Sequence, residues 1–273
     1  MKTLKTLLGA SVMGLLMAGT AQAATIDITF NNSNGFGFLV TPVYTGIHSG
    51  NFDAFDSGSA ASAGIEQVAE VPVPPNPPNQ IAPERLAADP GSQGGFIFGP
   101  GGPIQDGESG TLTIDVADPA TNQYATFLSM FVPSNDTFFG NDNPLAYQIF
   151  DAAGNVIEQT IEITGSSIWD AGTEVNQLLG AAFPGQDIQD GADEGGVIQR
   201  LLDIDDGLGG NGFNALEALF GVANAGQITS DTVLFTIDIE ASATPVPLPA
   251  GGALLLGGLG VMGVVARRRA KKA

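Results

Sequence analysis

Alternating apolar and polar residues recur along the chain and predict β-strands. The segment TIDITF (25–30) alternates at every position. Later segments follow it: GTLTIDV (110–116), ATFLSMFV (125–132), AYQIFD (146–151), VIEQTIEI (156–163) and TVLFTIDIE (232–240). Turn-forming sequences lie between them, such as Pro-Gly-Gly (100–102) and Ala-Gly-Asn (153–155). Short strands separated by such turns are typical of an antiparallel β-sandwich, so we predict an all-β fold.

Helical periodicity is limited to two short segments. Residues 60–70 place Ile65, Val68 and Ala69 on one face, and residues 214–223 show a similar pattern. The Pro-rich segment 71–80 and the Gly- and Asp-rich segment 184–213 predict long loops, the second of them acidic. The expected architecture is therefore a sandwich with a few short helices and long acidic loops.

The N-terminus has the three parts of a secretory signal peptide. Lys2 and Lys5 provide a basic start, residues 7–18 form a short apolar run, and Ala-Gln-Ala (21–23) is a small-residue cleavage site. We expect residues 1–23 to be removed during export, so that the mature chain begins at Ala24.

The C-terminus has the pattern of a membrane segment followed by a basic tail. The apolar stretch 250–266 has 17 residues, the short end of what spans a bilayer, and five basic residues between 267 and 272 should stay in the cytoplasm. The preceding Val-Pro-Leu-Pro-Ala (246–250) resembles the VPLPA-CTERM variety of PEP-CTERM sorting signals. That resemblance implies that 242–273 is processed by an exosortase-like membrane protease and the protein delivered to the surface. A plain single-span anchor is the alternative.

Between these two ends nearly all the charged residues are acidic. All 29 acidic residues lie there, whereas only Arg85 and Arg200 of the 9 basic residues do. The formal charge of about −27 makes nucleic acid and anionic lipid poor direct partners for this surface and cations good ones. Cysteine is absent, so no disulfide stabilises the exported domain, and a bound metal would serve that purpose. Solubility alone would account for many of the acids.

Two acidic segments carry the best candidate for a binding site. MFVPSNDTFFGND (130–142) has a strand that ends before Asp136, and WDAGTEVN (169–176) begins as a predicted turn with Asp170 and Glu174. Loops of a sandwich gather at one end, which would bring the three carboxylates together. Calcium takes six to eight oxygens and prefers carboxylates, carbonyls and water, with Asn135 or Asn141 as further donors. The spacing alone leaves a solvated acidic loop as the alternative.

Four segments together resemble a known family, the bacterial form of the spondin N-terminal domain. They occur in the family's order: TPVYTGIHSGNFDAFDSGSAASAGIEQVAE (41–70), PGGPIQDGESGTLTI (100–114), FVPSNDTFFG (131–140) and WDAGTEVN (169–176). The resemblance extends over nearly the whole body of the chain, from about residue 25 to about residue 241. The resemblance implies one antiparallel β-sandwich over 24–241. It also implies that Asp136, Asp170 and Glu174 bind one calcium ion, as the matching acids do in the family's extracellular-matrix adhesion proteins. Glu174 departs from the more usual Asp, and 184–213 has no counterpart.

Catalytic motifs are weak. His48, the only histidine, lies near Ser49 and Asp53, but no nucleophile elbow accompanies them, so we expect a structural His48 and no enzyme. The sequence DIDDGLGGNG (203–212) lacks the ligand pattern of a calcium loop and predicts a flexible acidic loop. Trp169 is predicted to pack in the core or in a loop.

We expect an exported adhesion or binding module with a calcium site, anchored in the membrane at least transiently. Its partner would be a matrix or polysaccharide component. A surface polysaccharide hydrolase with paired carboxylates, and a purely structural component of exopolysaccharide or a surface layer, are the alternatives.

Overall fold

The computed structural model describes residues 23–70, 80–175, 194–205 and 210–242. The strands are β1 Ala24–Asn32, β2 Leu39–Val40, β3 Val43–His48, β4 Gln93–Ile97, β5 Ser109–Val116, β6 Tyr124–Val132, β7 Thr137–Gly140, β8 Tyr147–Gln148, β9 Gln159–Thr164, β10 Ile168–Asp170, β11 Gln199–Arg200 and β12 Val233–Ala241. The helices are α1 Ala63–Glu70, α2 Ile81–Ala88 and α3 Gly212–Phe220, with short 3-10 turns at Gly165–Ser167, Leu201–Asp203 and Ala225–Gln227.

The described strands form two antiparallel sheets, which confirms the predicted all-β sandwich. One sheet has four strands in the order β5-β1-β12-β9. The other has eight, with β11-β10-β7-β6-β3-β4 as its main path and β2 and β8 also paired with β6. Because β1 pairs with β12, the first and last strands lie side by side.

The two sheets bury a common apolar core rich in phenylalanine. Phe30 on β1 stacks on Phe139 on β7 with ring centroids 5.5 Å apart, and Phe235 on β12 contacts both rings. The inward positions of β1 are Ile26, Ile28 and Phe30, each fully buried. The alternation of apolar and polar residues along β1 therefore has a simple cause: one face of this sheet lies on the core and the other faces solvent.

The larger sheet is covered on its other face as well. A second apolar cluster there joins Phe138 and Trp169 of the sheet to Ile65 of α1 and Ile81 of α2. Strand β6 is therefore buried at every position after Tyr124, which explains the nearly continuous apolar run ATFLSMFV. The predicted helix near 60–70 is confirmed as α1, with Ile65 and Ala69 buried and Val68 partly buried.

Strands β3 and β4 were not predicted, because glycine interrupts their patterns. Gly46 on β3 and Gly94 on β4 face the buried side chain of Arg85: a Cβ atom would lie 3.1 Å from Arg85 Cδ at Gly46 and 3.3 Å from Arg85 Nε at Gly94. At Gly94 the Cβ would also lie 2.6 Å from the backbone carbonyl oxygen of Thr45 on the paired strand, so glycine allows both this close backbone approach and the buried arginine. The guanidinium donates to Tyr44 Oη (2.7 Å) and Ser92 Oγ (2.6 Å).

The solvent face of the four-stranded sheet is polar, and its threonines pair with aspartates. Thr113 donates to Asp27 (2.6 Å) and Thr160 donates to Asp238 (2.6 Å), both between neighbouring strands. These cross-strand pairs hold the carboxylates in place at the surface.

Thr45 on β3 offers a test of the core. Its hydroxyl is fully buried and has no hydrogen-bond partner within the described ranges, which costs about 1–3 kcal/mol. Thr45→Val keeps the shape and removes that hydroxyl, so it is expected to stabilise the protein by about 1 kcal/mol, measured by urea unfolding. Thr126→Val is the matched control, because the Thr126 hydroxyl bonds to His48 Nε2 at 3.0 Å. The control should destabilise; a loss of stability in both variants would contradict the assignment.

The two terminal predictions, the signal peptide at 1–23 and the sorting segment at 242–273, lie almost wholly outside the described residues. Among the described residues no helix has the length and apolar character needed to cross a membrane.

Candidate metal centre

Strand pairing brings the two acidic segments together. Asp170 ends β10 and is paired with Thr137, the first residue of β7, so it lies beside Asp136. The backbone N–H of Ala171 donates to the carbonyl of Asp136 (3.1 Å). The expectation that WDAGTEVN begins as a turn is wrong at Trp169 and Asp170, because both are paired strand residues and the turn follows them.

Asp170 and the turn after it depend on a glycine. Gly172 has φ +65°, a left-handed conformation, and its N–H donates to Asp170 Oδ1 (2.9 Å). A Cβ atom at this position would lie 2.7 Å from both the N and the O of Val197. Gly196 N–H also donates to the Gly172 carbonyl (2.8 Å), so this turn is fixed from two sides.

The carboxylate of Asp136 is fully buried, and its two oxygens differ. Oδ2 accepts hydrogen bonds from the N–H of Thr173 (3.0 Å), the hydroxyl of Thr173 (3.3 Å) and the N–H of Glu174 (3.0 Å). Oδ1 is buried and has no hydrogen-bond partner among the described residues. A buried carboxylate oxygen without a donor is costly, and a cation at that position would remove the cost.

The electrostatics of Asp136 and Asp170 also favour a cation beside them. Burial and, next in size, the charge of Asp170 raise the pKa of Asp136, the hydrogen bonds from Glu174 and Thr173 lower it in part, and the net result is a pKa of about 7. Two adjacent carboxylates out of water disfavour ionisation unless a positive charge lies close by.

The two arginines of the domain have other contacts. Arg200 lies over the ring of Trp169, 5.4 Å from its centroid, and Arg85 belongs to the network with Tyr44 and Ser92.

The third predicted ligand, Glu174, is also buried, with 9% of its surface exposed. Over residues 23–70, 80–175, 194–205 and 210–242, no three histidine, aspartate or glutamate side chains converge on a point that would hold a metal ion. The structure thus brings Asp136 and Asp170 together and places the Glu174 backbone against Asp136. The three-carboxylate set stays a prediction, and binding by all three would draw the Glu174 carboxylate toward the pair.

The two asparagines suggested as further donors have different positions. Asn135 Nδ2 donates to the carbonyl of Val175 (3.0 Å) and so ties the end of the turn to the site. Asn141 follows the other end of β7, where its Oδ1 accepts the N–H of Phe127 (3.1 Å). It is therefore not part of this site, because the length of β7 separates it from Asp136.

The raised pKa of Asp136 gives a pH test of the metal-free protein. Its native pKa of about 7 exceeds the ordinary 3.8, so its stabilising contribution is present below about pH 4 and is lost as the pH rises to 7. His48 acts in the opposite sense, because burial lowers its pKa to about 4. The difference in unfolding free energy between wild type and Asp136→Asn removes the His48 effect. We expect that difference to fall from pH 4 to 7 in urea titrations without metal; a constant difference would contradict it.

The described hydrogen bonds of the His48 ring go to Gly50 and Thr126, and the Ser49 hydroxyl donates elsewhere. Its Nδ1 accepts the N–H of Gly50 (3.1 Å) and its Nε2 contacts the Thr126 hydroxyl (3.0 Å). This assigns the proton to Nε2. The hydroxyl of Ser49 donates instead to Asp89 Oδ2 (2.7 Å).

Trp169 packs in the core, as predicted. It is 3% exposed, its Nε1 donates to the carbonyl of Gly140 (3.0 Å), and its ring contacts Phe55 edge-on. The tryptophan thereby anchors β10 directly before Asp170.

The role of Thr173 was missed at the level of sequence. Two of the three donors to Asp136 are backbone groups, which leave no signature in residue types. The spacing of Asp170 and Glu174 was the available signal, since it marks the turn that provides these donors.

No protein-family model matches the chain, and no curated protein sequence matches it. The resemblance to the spondin N-terminal domain and to the sorting signal therefore stays a prediction.

Proposed function

We propose that this protein is an exported, surface- or matrix-associated binding module of the adhesion type, whose fold is stabilised by one calcium ion. The ion would be held by the carboxylates of Asp136, Asp170 and Glu174. The single observation that supports this most strongly is Asp136 Oδ1, a buried carboxylate oxygen that lies beside a second buried aspartate and has no hydrogen-bond partner in the ranges that the structure describes.

The chemistry of the donor set fits a hard divalent cation. Asp136 and Asp170 are both fully buried, and carboxylate oxygens are preferred calcium ligands. When bound, the ion would supply positive charge that compensates the carboxylates and would bridge β7 to the turn after β10. Histidine and cysteine ligands, typical of zinc, do not occur beside these acids in the sequence.

The burial of the pair supports a structural ion over hydrolysis. A glycosidase needs two carboxyl groups on either side of the bond to be cleaved, at about 5–9.5 Å across a cleft that admits sugar. Asp136 directly precedes β7 and Asp170 ends the paired strand β10, and neither has exposed surface.

Export and surface delivery form the second part of the proposal. The signal peptide at 1–23, the Val246–Ala250 motif, the apolar stretch and the basic tail support an exported domain that is held at the membrane and then processed by an exosortase-like protease. Transfer to the surface would leave the acidic domain facing the extracellular matrix.

A pull-down tests the binding function. Immobilised protein is incubated with extracellular polysaccharide and envelope fractions in calcium or in chelator, with Asp170→Asn as the matched variant. We expect a matrix component to be retained by wild type in calcium, and to be lost in chelator and by the variant. Retention that is equal in all three would contradict a calcium-dependent module, and release of reducing sugars would favour the hydrolase.

A further inference from the structure

We infer that Thr173 is a positioning residue, which holds Asp136 so that this carboxylate offers a single oxygen, Oδ1, to the ion. The inference rests on the proposed calcium site. It follows from the unequal surroundings of the two oxygens: Thr173 provides two donors to Oδ2 and Glu174 provides a third, whereas no residue in the described part of the chain donates to Oδ1.

Oδ2 is unsuited to bind the ion because its lone pairs are already used. An ionised oxygen that accepts three hydrogen bonds must give up at least one of them before it can coordinate calcium. Hydrogen bonds to charged groups are stronger than those between neutral groups, so binding through both oxygens of Asp136 would be opposed. Binding through Oδ1 loses none of these bonds and satisfies the only buried oxygen of this carboxylate that has no partner.

Thr173 belongs to a turn that is fixed independently of the ion. Its carbonyl accepts the N–H of Glu194 (2.9 Å), and the carbonyl of the preceding Gly172 accepts the N–H of Gly196 (2.8 Å). Gly172 also donates to Asp170 Oδ1 (2.9 Å). One turn therefore orients both aspartates, and within it Thr173 contributes a side-chain hydroxyl that can be removed without altering the backbone.

Groups that orient metal ligands from outside the coordination sphere typically change metal affinity 10–100-fold when they are mutated. Loss of the Thr173 hydroxyl leaves the two backbone donors in place. We therefore expect Thr173→Val to weaken calcium binding about tenfold, the lower end of that range. Thr173→Ser keeps the hydroxyl and should restore wild-type affinity, which a role in packing alone would not produce.

The test is a calorimetric titration of metal-free wild type, Thr173→Val and Thr173→Ser with calcium. A pH of 8.5 lies above the pKa of Asp136, so differences in its ionisation contribute little. Thr113→Val is the matched control, because it removes a threonine–aspartate hydrogen bond on the solvent face of the other sheet. We expect about tenfold weaker binding for Thr173→Val alone. Equal affinity in Thr173→Val and wild type would overturn the inference while leaving the calcium site intact, whereas absence of binding to wild type would overturn both.

A second measurement needs no variant and stays decisive if Thr173→Val fails to fold. In a crystal structure of the calcium-loaded wild type, we expect Asp136 to coordinate through Oδ1 alone, with Oδ2 still bonded to Thr173. Both oxygens of Asp136 within about 2.6 Å of the ion would overturn the inference.

Discussion

Calcium is expected to raise the melting temperature of the wild-type protein and to raise that of Asp170→Asn very little. An ion that binds only the folded state stabilises it by about 2.7 kcal/mol at a hundredfold excess over its dissociation constant. For a domain of this size that corresponds to about 5–10 °C. Asp170→Asn removes one charged ligand while the amide oxygen can still accept the N–H of Gly172. The substitution should therefore remove most of the calcium-dependent rise in melting temperature and leave the structure of the turn unchanged.

In the presence of a chelator, the order of the two melting temperatures should reverse. Asp170 raises the pKa of Asp136, which means that the two carboxylates repel each other in the metal-free protein. Replacing one of them with a neutral amide relieves this repulsion, so Asp170→Asn should melt slightly above wild type. Asp231→Asn is the control, because Asp231 is an exposed acid outside the site and its substitution should do little in either condition. A variant that keeps the full calcium shift would show that Asp170 is not a ligand.

Gly172→Ala is expected to have the second large effect, a loss of about 2–4 kcal/mol of unfolding free energy together with the calcium response. The left-handed conformation at φ +65° costs an L-residue roughly 1–2 kcal/mol. In addition, the new methyl would lie 2.7 Å from backbone atoms of Val197, which cannot give way by a side-chain rotation. The turn must then move, and the donors to both aspartates move with it.

Gly35→Ala separates the two causes of that effect. Gly35 has a similar φ of +70°, and no atom lies within 4 Å of the position that a Cβ would take. Gly35→Ala should lower the unfolding free energy only by the cost of the left-handed conformation, roughly 1–2 kcal/mol. Urea unfolding of both variants provides the comparison. Equal losses would mean that the contact with Val197 is harmless and that the turn is less tightly fixed than its hydrogen bonds indicate.

The strands with clear alternation could be predicted because each has one face in the core and one in solvent. This applies to β1, β5 and β12, whose observed bounds differ from the predicted segments by at most two residues. The short β8 shows the limit: AYQIFD predicts six residues of strand, and only Tyr147–Gln148 are paired in it, with a single bridge at Phe150. The residue pattern does not show at which residue the pairing with the neighbouring strand ends.

The elements that were missed depend on tertiary contacts. Helix α2 contains Pro83 and the buried Arg85, neither typical of a short amphipathic helix, and β4 contains two adjacent glycines. Arg85 lies against Gly94, whereas a Cβ atom at Gly95 would lie 3.1 Å from Leu112 Cδ2 on β5. No local pattern contains that information, since the partners lie on different elements of the fold.

For the candidate site, the proximity of Asp136 and Asp170 could be predicted, but the way the chain brings them together could not. Asp136 and Asp170 are adjacent, as expected, but through pairing of β7 with β10 and not through loops that gather at one end. The donors that distinguish the two oxygens of Asp136 are largely backbone N–H groups. Their positions follow from the fold and are not visible in the identity of any residue.

The most direct test of the central claim is a calorimetric titration of the metal-free protein with calcium, in parallel with the double variant Asp136→Asn, Asp170→Asn. If the ion binds at the buried pair, wild type takes up one calcium per chain in a saturable reaction and the double variant takes up none. A wild-type protein without saturable binding, or a double variant that binds one ion with unchanged affinity, would contradict it.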